Sequence, residues 1–275
     1  MGGPPPTRSD GAGLESRALL AVVGNLARDL FPGRPPRIGG CAYYGARALR
    51  LLGRPARIVT KCAQEHRSEL LPQLVGLGIP VVWRPAAVTQ TFAFEYSGEE
   101  RRMHVEAVAE PWTPDDLREA VADARWVHVG PLLRSDFPVE TIEFLAQGRR
   151  LSLDAHGLVR VPEPGPLRLD ADFDRDVLRH VAVLKVSEEE AAAIGSIEEL
   201  GVPEVLLTRG SRGSTIIVGG RSEEVPAYPI LDVDPTGAGD VFAVVYLASR
   251  GAGFAPGAAA RRATATAAEM LAKRR

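Results

Sequence analysis

Asp234-Pro235-Thr236-Gly237-Ala238-Gly239-Asp240, followed by the apolar run Val241 to Leu247, places small residues and a turn ahead of a helix, with a carboxylate in its first turn. A helix start offers unpaired N–H groups and the positive end of a dipole, and together these attract an anion. Glycines let that backbone approach a phosphate closely. A carboxylate there is poorly suited to holding a phosphate, but well suited to taking a proton from a group that attacks one. The chemistry suggested is phosphoryl transfer. The same residues also suit an ordinary turn, with Thr236 as N-cap and Asp240 complementing the dipole, so the rest of the chain decides between the two.

Such a site needs elements to position it. Apolar runs at Ala18–Gly24, Arg57–Thr60, Trp126–Val129, Leu151–Asp154, Val181–Val186, Glu204–Thr208 and Thr215–Val218 read as strands. Helical spacing falls at Ala42–Leu52, Arg67–Leu77, Val139–Gln147, Glu188–Ile194, Asp240–Ser249 and Pro256–Lys273. This alternation implies a parallel sheet covered on both faces, a three-layer α/β/α domain. The stretch from Thr89 to Val105 alternates instead and turns at Ser97-Gly98, a hairpin signature. It predicts a small β lid made from segments of about 28–38 and 80–107. Residues 1–13, rich in Gly and Pro, read as a disordered tail, leaving 14–275 as one domain. Ligands of open α/β sheets bind beyond the carboxyl ends of the strands, and Asp29, Asp154, Thr208 and Asp240 all fall at such places.

Composition narrows the partners. The 275 residues are 45% hydrophobic and 25% charged, with a net charge of −2, as in an ordinary globular protein. That balance gives no electrostatic case for nucleic acid or an anionic membrane. No apolar run approaches the roughly 18 residues of a membrane span, and no signal peptide is evident. Cys41 and Cys62 are too few for a disulfide framework or a zinc site. A cytoplasmic protein is expected.

Four further elements, in order, resemble the ribokinase (PfkB) carbohydrate kinase family from about Ala18 onward. Asp234 to Asp240 is similar to its C-terminal signature, Ile38-Gly39-Gly40 to its N-terminal Gly-Gly element, Gly24 to Asp29 to its opening strand-to-loop segment, and Thr208 to Gly213 to its nucleotide-side loop. The resemblance implies a ribokinase-like fold and ATP- and Mg²⁺-dependent phosphorylation of a sugar, cyclitol or nucleoside hydroxyl. Asp240 would be the general base and the amides of Gly237, Ala238 and Gly239 the anion hole. Asp29, Asn25, Gly39, Gly40 and Arg160 would hold the acceptor, and Ser187, Thr208, Gly210, Gly213 and Thr236 the nucleotide. Ser187 to Glu190 resembles the family's Asn-x-x-Glu element, so Glu190 would help hold Mg²⁺ through water, while Asp234 with Thr236 would take K⁺. Without the resemblance, Ser187 to Glu190 reads equally as a capped acidic helix start. Homodimerisation through lid strands is also implied.

The chain departs from the family at two places. Tyr44 stands where Asn is common after Gly-Gly, and Lys61 to His66 replaces a Gly-x-Asp. Asp154 to Arg160 and Gly24-Asn25 resemble the subgroup that includes inositol kinases. Two other readings remain open: a non-catalytic polyol-binding or regulatory protein on a kinase scaffold, and a nucleotide-cofactor oxidoreductase. The second is disfavoured because no Gly-x-Gly-x-x-Gly follows the first strand.

Overall fold

The structure, a computed structural model, describes residues 19–97, 100–230 and 234–273. The expected tail over residues 1–13 and the tip of the hairpin at Gly98 lie outside the described residues. The chain opens with β1 (Leu19–Val23), β2 (Ala27–Leu30) and β3 (Arg37–Gly39), then helix α1 (Cys41–Leu52), β4 (Ala56–Ala63) and α2 (Arg67–Val75). Next come β5 (Val81–Ala86), β6 (Gln90–Ser97), β7 (Glu100–Ala107), the single turn α3 (Pro114–Leu117), β8 (Ala124–Val129) and α4 (Val139–Ala146). They are followed by β9 (Arg150–Asp154), α5 (His156–Val159), β10 (Gly165–Pro166), β11 (Val183–Ser187) and α6 (Glu188–Ile194). The chain closes with β12 (Glu204–Thr208), β13 (Ser214–Val218), β14 (Arg221–Val225), α7 (Ala238–Gly251) and α8 (Pro256–Ala272).

Nine strands form the main sheet in the order β14-β13-β12-β11-β9-β8-β1-β4-β5. Pairing is parallel from β12 through to β5, and β13 and β14 add an antiparallel edge. Alternation along β1 shows why both faces must be covered. Leu20 and Val22 pack into one core with α1, α2, α7 and α8, while Ala21 and Val23 pack into the other with α3, α4 and α5. The expected three-layer architecture is the one observed. Helix α7 is buried over every residue from Val241 to Ser249, consistent with its unbroken apolar sequence. At about 1.5–3 kcal/mol for each large aliphatic or aromatic side chain buried, this is a rigid base for the loop that precedes it.

A second sheet has the order β10-β7-β6-β2-β3. It corrects the expected lid at both limits. Val81–Ala86 pairs in parallel with β4, which places it at the edge of the main sheet and not in the small one. The lid's long hairpin therefore starts at Gln90. It also gains Gly165 and Pro166, which pair with Val105 and His104. The short span of β2 and β3 agrees with the first expected segment.

Candidate active site

Gly237 is the N-cap of α7, with φ of 77° and no side-chain cap. Two constraints demand glycine here. The positive φ is one, and a Cβ at this position would lie 2.3 Å from the ring of Tyr44 on α1. The residue that departs from the family pattern thus forms the floor of the turn. One expectation needs correction: the Ala238 N–H closes the turn onto the Pro235 carbonyl at 3.0 Å. Among the described residues, the amides of Gly237, Gly239 and Asp240 donate to no acceptor, and they are the groups left for an anion. Asp234 Oδ1 accepts from the Thr236 amide at 3.0 Å and its hydroxyl at 2.6 Å, which ties the loop together.

Asp240 lies in the first turn of α7, partly accessible from a cavity of about 1670 Å³. Burial by the surrounding protein, helped by the nearby Asp154 charge, pushes its carboxyl up to about 6; His156, Lys185 and Arg160 act in the opposite direction. A base titrating near 6 is ionised at neutral pH yet basic enough to accept a proton from an attacking hydroxyl. The buried thiol of Cys41, at the start of α1, lies in the field of this carboxylate. Burial and the Asp240 and Asp154 charges raise the thiol well above its ordinary range, so it stays protonated.

Below the turn lies a buried charge cluster. Lys185 Nζ is 3.2 Å from Asp154 Oδ2 and 3.6 Å from Glu190 Oε2. A Cβ on Gly239 would meet the same nitrogen at 3.2 Å, so the ammonium reaches the underside of the anion turn. Burial opposes its charge, but Asp154, Glu190 and Asp240 outweigh that and hold it protonated. His156 bridges the two carboxylates, with Nδ1 at 3.3 Å from Asp154 and Nε2 at 2.9 Å from Glu190. Glu190 also closes a capping box, accepting from the Ser187 amide at 2.7 Å. Burial would raise this carboxyl, yet the neighbouring Lys185 and His156 bring it well below its usual range.

Asp154, His156 and Glu190 present a metal-type donor set, with atoms within 4.8 Å of one another. The fit to Mg²⁺ is poor. Both Glu190 oxygens are already engaged, Glu190 is buried away from the cavity wall, and Lys185 sits on the same carboxylates. A divalent ion would have to displace one of these partners to be held directly.

The cavity runs from this centre in two directions. Toward the donor end it is lined by Ser187, Thr208, Gly210 and Gly213, and then by a slot between Ala227–Ile230 and Thr264, Ala267, Ala268 and Leu271 of α8. Gly213, at φ 93°, leaves no room for a Cβ, which would fall 2.2 Å from the Val225 carbonyl. Toward the small sheet it is lined by Asp29, Gly40 and Arg160. A Cβ on Gly39 would strike the Asp29 carboxylate at 2.5 Å, and one on Gly40 the Asn25 carbonyl at 2.3 Å. These clashes account for the Gly-Gly pair. Asn25 does not join the cavity wall: its Oδ1 accepts from Trp112 Nε1 at 2.8 Å, in a buried setting.

Sequence reasoning missed Lys185. A signal was available: the chain has only three lysines among 33 basic residues, and Lys185 lies in the apolar strand just before the acidic helix start. The coupling of Tyr44 to Gly237 had no local signal.

A nine-stranded, mostly parallel sheet with a small second sheet and a glycine-framed carboxylate at a helix start makes this a ribokinase-like α/β fold. Residues 37–275 match the pfkB family carbohydrate kinase model, and the chain belongs to that family. The cytidine kinase of Thermococcus kodakarensis is 28% identical over 257 residues, spanning 84% of this chain and 89% of that protein. Among solved structures, a pyrophosphate-dependent kinase in the ribokinase family, complexed with a pyrophosphate analog and myo-inositol, superposes with a TM-score of 0.81. Its identity is 24%, over 92% of this chain and 95% of that one. The Burkholderia thailandensis nucleoside kinase in complex with inosine gives a TM-score of 0.72 at 23% identity, over 92% and 91% of the two chains. No helix among the described residues is long and apolar enough to cross a membrane.

Proposed function

We propose that this protein transfers the terminal phosphoryl group of ATP to a hydroxyl of a small sugar, cyclitol or nucleoside, with Asp240 as general base. The observation that carries this reading is one continuous cavity. It holds the anion turn and Asp240 at its centre, Asp29 on one side, and Thr208, Gly210 and Gly213 on the other. The acceptor hydroxyl lies against Asp240 and loses its proton to that carboxylate as its oxygen attacks phosphorus. The bond from phosphorus to the bridging oxygen breaks, and ADP leaves toward the donor end. Charge spreading over the transferred group is met by the amides of Gly237, Gly239 and Asp240 and by the Lys185 ammonium beneath them.

The cavity continues past the turn to a stretch lined by Ala227–Ile230 and by Thr264, Ala267, Ala268 and Leu271 of α8, and this apolar extension supports a nucleotide donor. Mg²⁺ would be held on the donor's phosphates, where it would offset their charge, since both Glu190 oxygens are already engaged. A monovalent cation at Asp234 and Thr236, and pairing of two copies through the small sheet, belong to the same reading. The test is product formation with ATP or pyrophosphate against pentoses, hexoses, inositols and nucleosides, followed by phosphorus NMR. A phosphorylated product that disappears in Asp240→Asn is expected. Polyol binding without phosphorylation of any acceptor would overturn this reading in favour of a non-catalytic binder.

A further inference from the structure

The wall of the cavity beneath the small sheet has an uneven composition. Register places Asp29 of β2 beside Phe92 of β6, Phe92 opposite Val105 and Phe94 opposite Met103. Residues two apart share a face, so Ala27, Asp29, Phe92, Phe94, Met103 and Val105 make up one side of this sheet. Leu132 and Leu133 pack against that side, with Leu167 beside them. Of these, Ala27, Phe92, Phe94, Met103, Leu132 and Leu167 line the cavity together with Asp29. The inner face is thus one carboxylate set in an apolar, partly aromatic surface. Glu95, Arg102 and His104 reach the same cavity from the hairpin's other face, with His104 and Glu95 3.8 Å apart.

A cyclitol carries hydroxyls around its whole perimeter. Against this wall, several would lose water and gain no partner. Asn25 does not line the cavity, and its Oδ1 accepts from Trp112. An acceptor with a hydroxylated half and a flat, weakly hydrated half meets no such difficulty. Its diol faces Asp29 and its ring plane lies on the apolar wall.

We infer that the inner face of the small sheet is a base-binding subsite, and that the acceptor is a nucleoside rather than a free sugar or a cyclitol. The inference rests on the kinase reading above and narrows it.

The experiment measures kcat/KM for cytidine, uridine, inosine, ribose and myo-inositol on the full chain. Thermal-shift titrations of the same compounds give a readout independent of turnover. At least one nucleoside should exceed ribose and myo-inositol by tenfold or more in kcat/KM, and should stabilise the protein at lower concentration. Met103→Asp and Leu167→Asp place a charge on the wall at partly exposed positions. Each should lower the nucleoside-to-ribose ratio of kcat/KM by at least tenfold. Phosphorylation of ribose or myo-inositol as efficient as that of every nucleoside would overturn the subsite while leaving the kinase intact. Nucleoside binding with no phosphorylation of any acceptor would overturn the kinase reading and keep the subsite. Unchanged ratios in both variants would also overturn the assignment.

Discussion

The two halves of the cavity solve opposite problems with opposite materials. Around Asp240 stand backbone amides at the start of α7, with the buried Lys185 ammonium of β11 and the carboxylates of Asp154 and Glu190, at the end of β9 and in α6, below them. Beneath the small sheet stands side-chain surface, assembled from β2, β6, β7 and loops far apart in the chain. Under the proposed reading, the first half would fix what reaction takes place, because developing charge needs preorganised dipoles. The second would fix what may enter, because apolar area discriminates by shape and by the penalty on unpaired hydroxyls. Function would therefore be split between a compact electrostatic device and a broad surface.

The hardest blow to the first half is Asp240→Asn. Loss of the base should lower kcat by roughly 10²- to 10⁴-fold with KM little moved, read from steady-state kinetics. Unchanged turnover would break the comparison, since the charged half would then not be the reacting half. Next comes Lys185→Met, which leaves Asp154 and Glu190 facing each other without their cation. Breaking such a buried pair should remove about 3–5 kcal/mol of stability, measured by urea unfolding. A loss below 1 kcal/mol would mean that the cluster is more open to water than its burial implies.

Gly237→Ala follows, at about 1–3 kcal/mol for a side chain forced into the left-handed region. The clash with the Tyr44 ring adds to this, and Tyr44→Ala in the same chain should recover part of the loss in melting temperature. If it recovers none, the ring is not what confines the turn.

The smallest effect is a matter of pH. The folded-state carboxyl of Asp240, at about 6, lies above the ordinary aspartate value of 3.8. Between those values the folded protein holds a proton that the unfolded chain has lost, so this group's contribution to stability falls as pH rises through that window. Asp240→Asn should accordingly melt higher than the parent at pH 7.5, with the gain vanishing below about pH 4. The parent's kcat/KM should drop on the acid side with a midpoint near 6. An acid limb near 4 would place the base in a far more solvated setting.

The two halves also differed in how much of each the chain disclosed. Asp234 to Asp240, Gly39-Gly40 and Thr208 to Gly213 are local words: their chemistry depends on spacing within a few residues, and the structure brings all three to one cavity. The alternation of strands and helices was equally legible, because burial on both faces writes an apolar run for each strand. The lid was not. Val81–Ala86 carries alternation that suits either sheet, and only its pairing with β4 decides the matter. Gly165 and Pro166 are too short to register as a strand, and their partners lie some sixty positions earlier. Asn25 looked like a ligand because its neighbours are, yet Trp112, distant in sequence, takes its carbonyl. Ala238 differs by a single hydrogen bond to Pro235, which spacing alone does not reveal.

The contact between α1 and α7 has one further consequence. Tyr44 sits under Gly237 and the Cys41 thiol lies in the field of Asp240, so the starts of α1 and α7 meet at this turn. Among the described residues, Ala27, Phe92, Phe94 and Val105 of the small sheet belong to a cluster apart from the core beneath the turn, whereas Ile38 of β3 belongs to that core. The molecule thus has the build of a tool with a fixed head and an exchangeable jaw. Under the proposed reading, changing Phe92, Phe94, Met103 or Leu167 would alter the grip on the acceptor while leaving Asp240 and the turn before it in place.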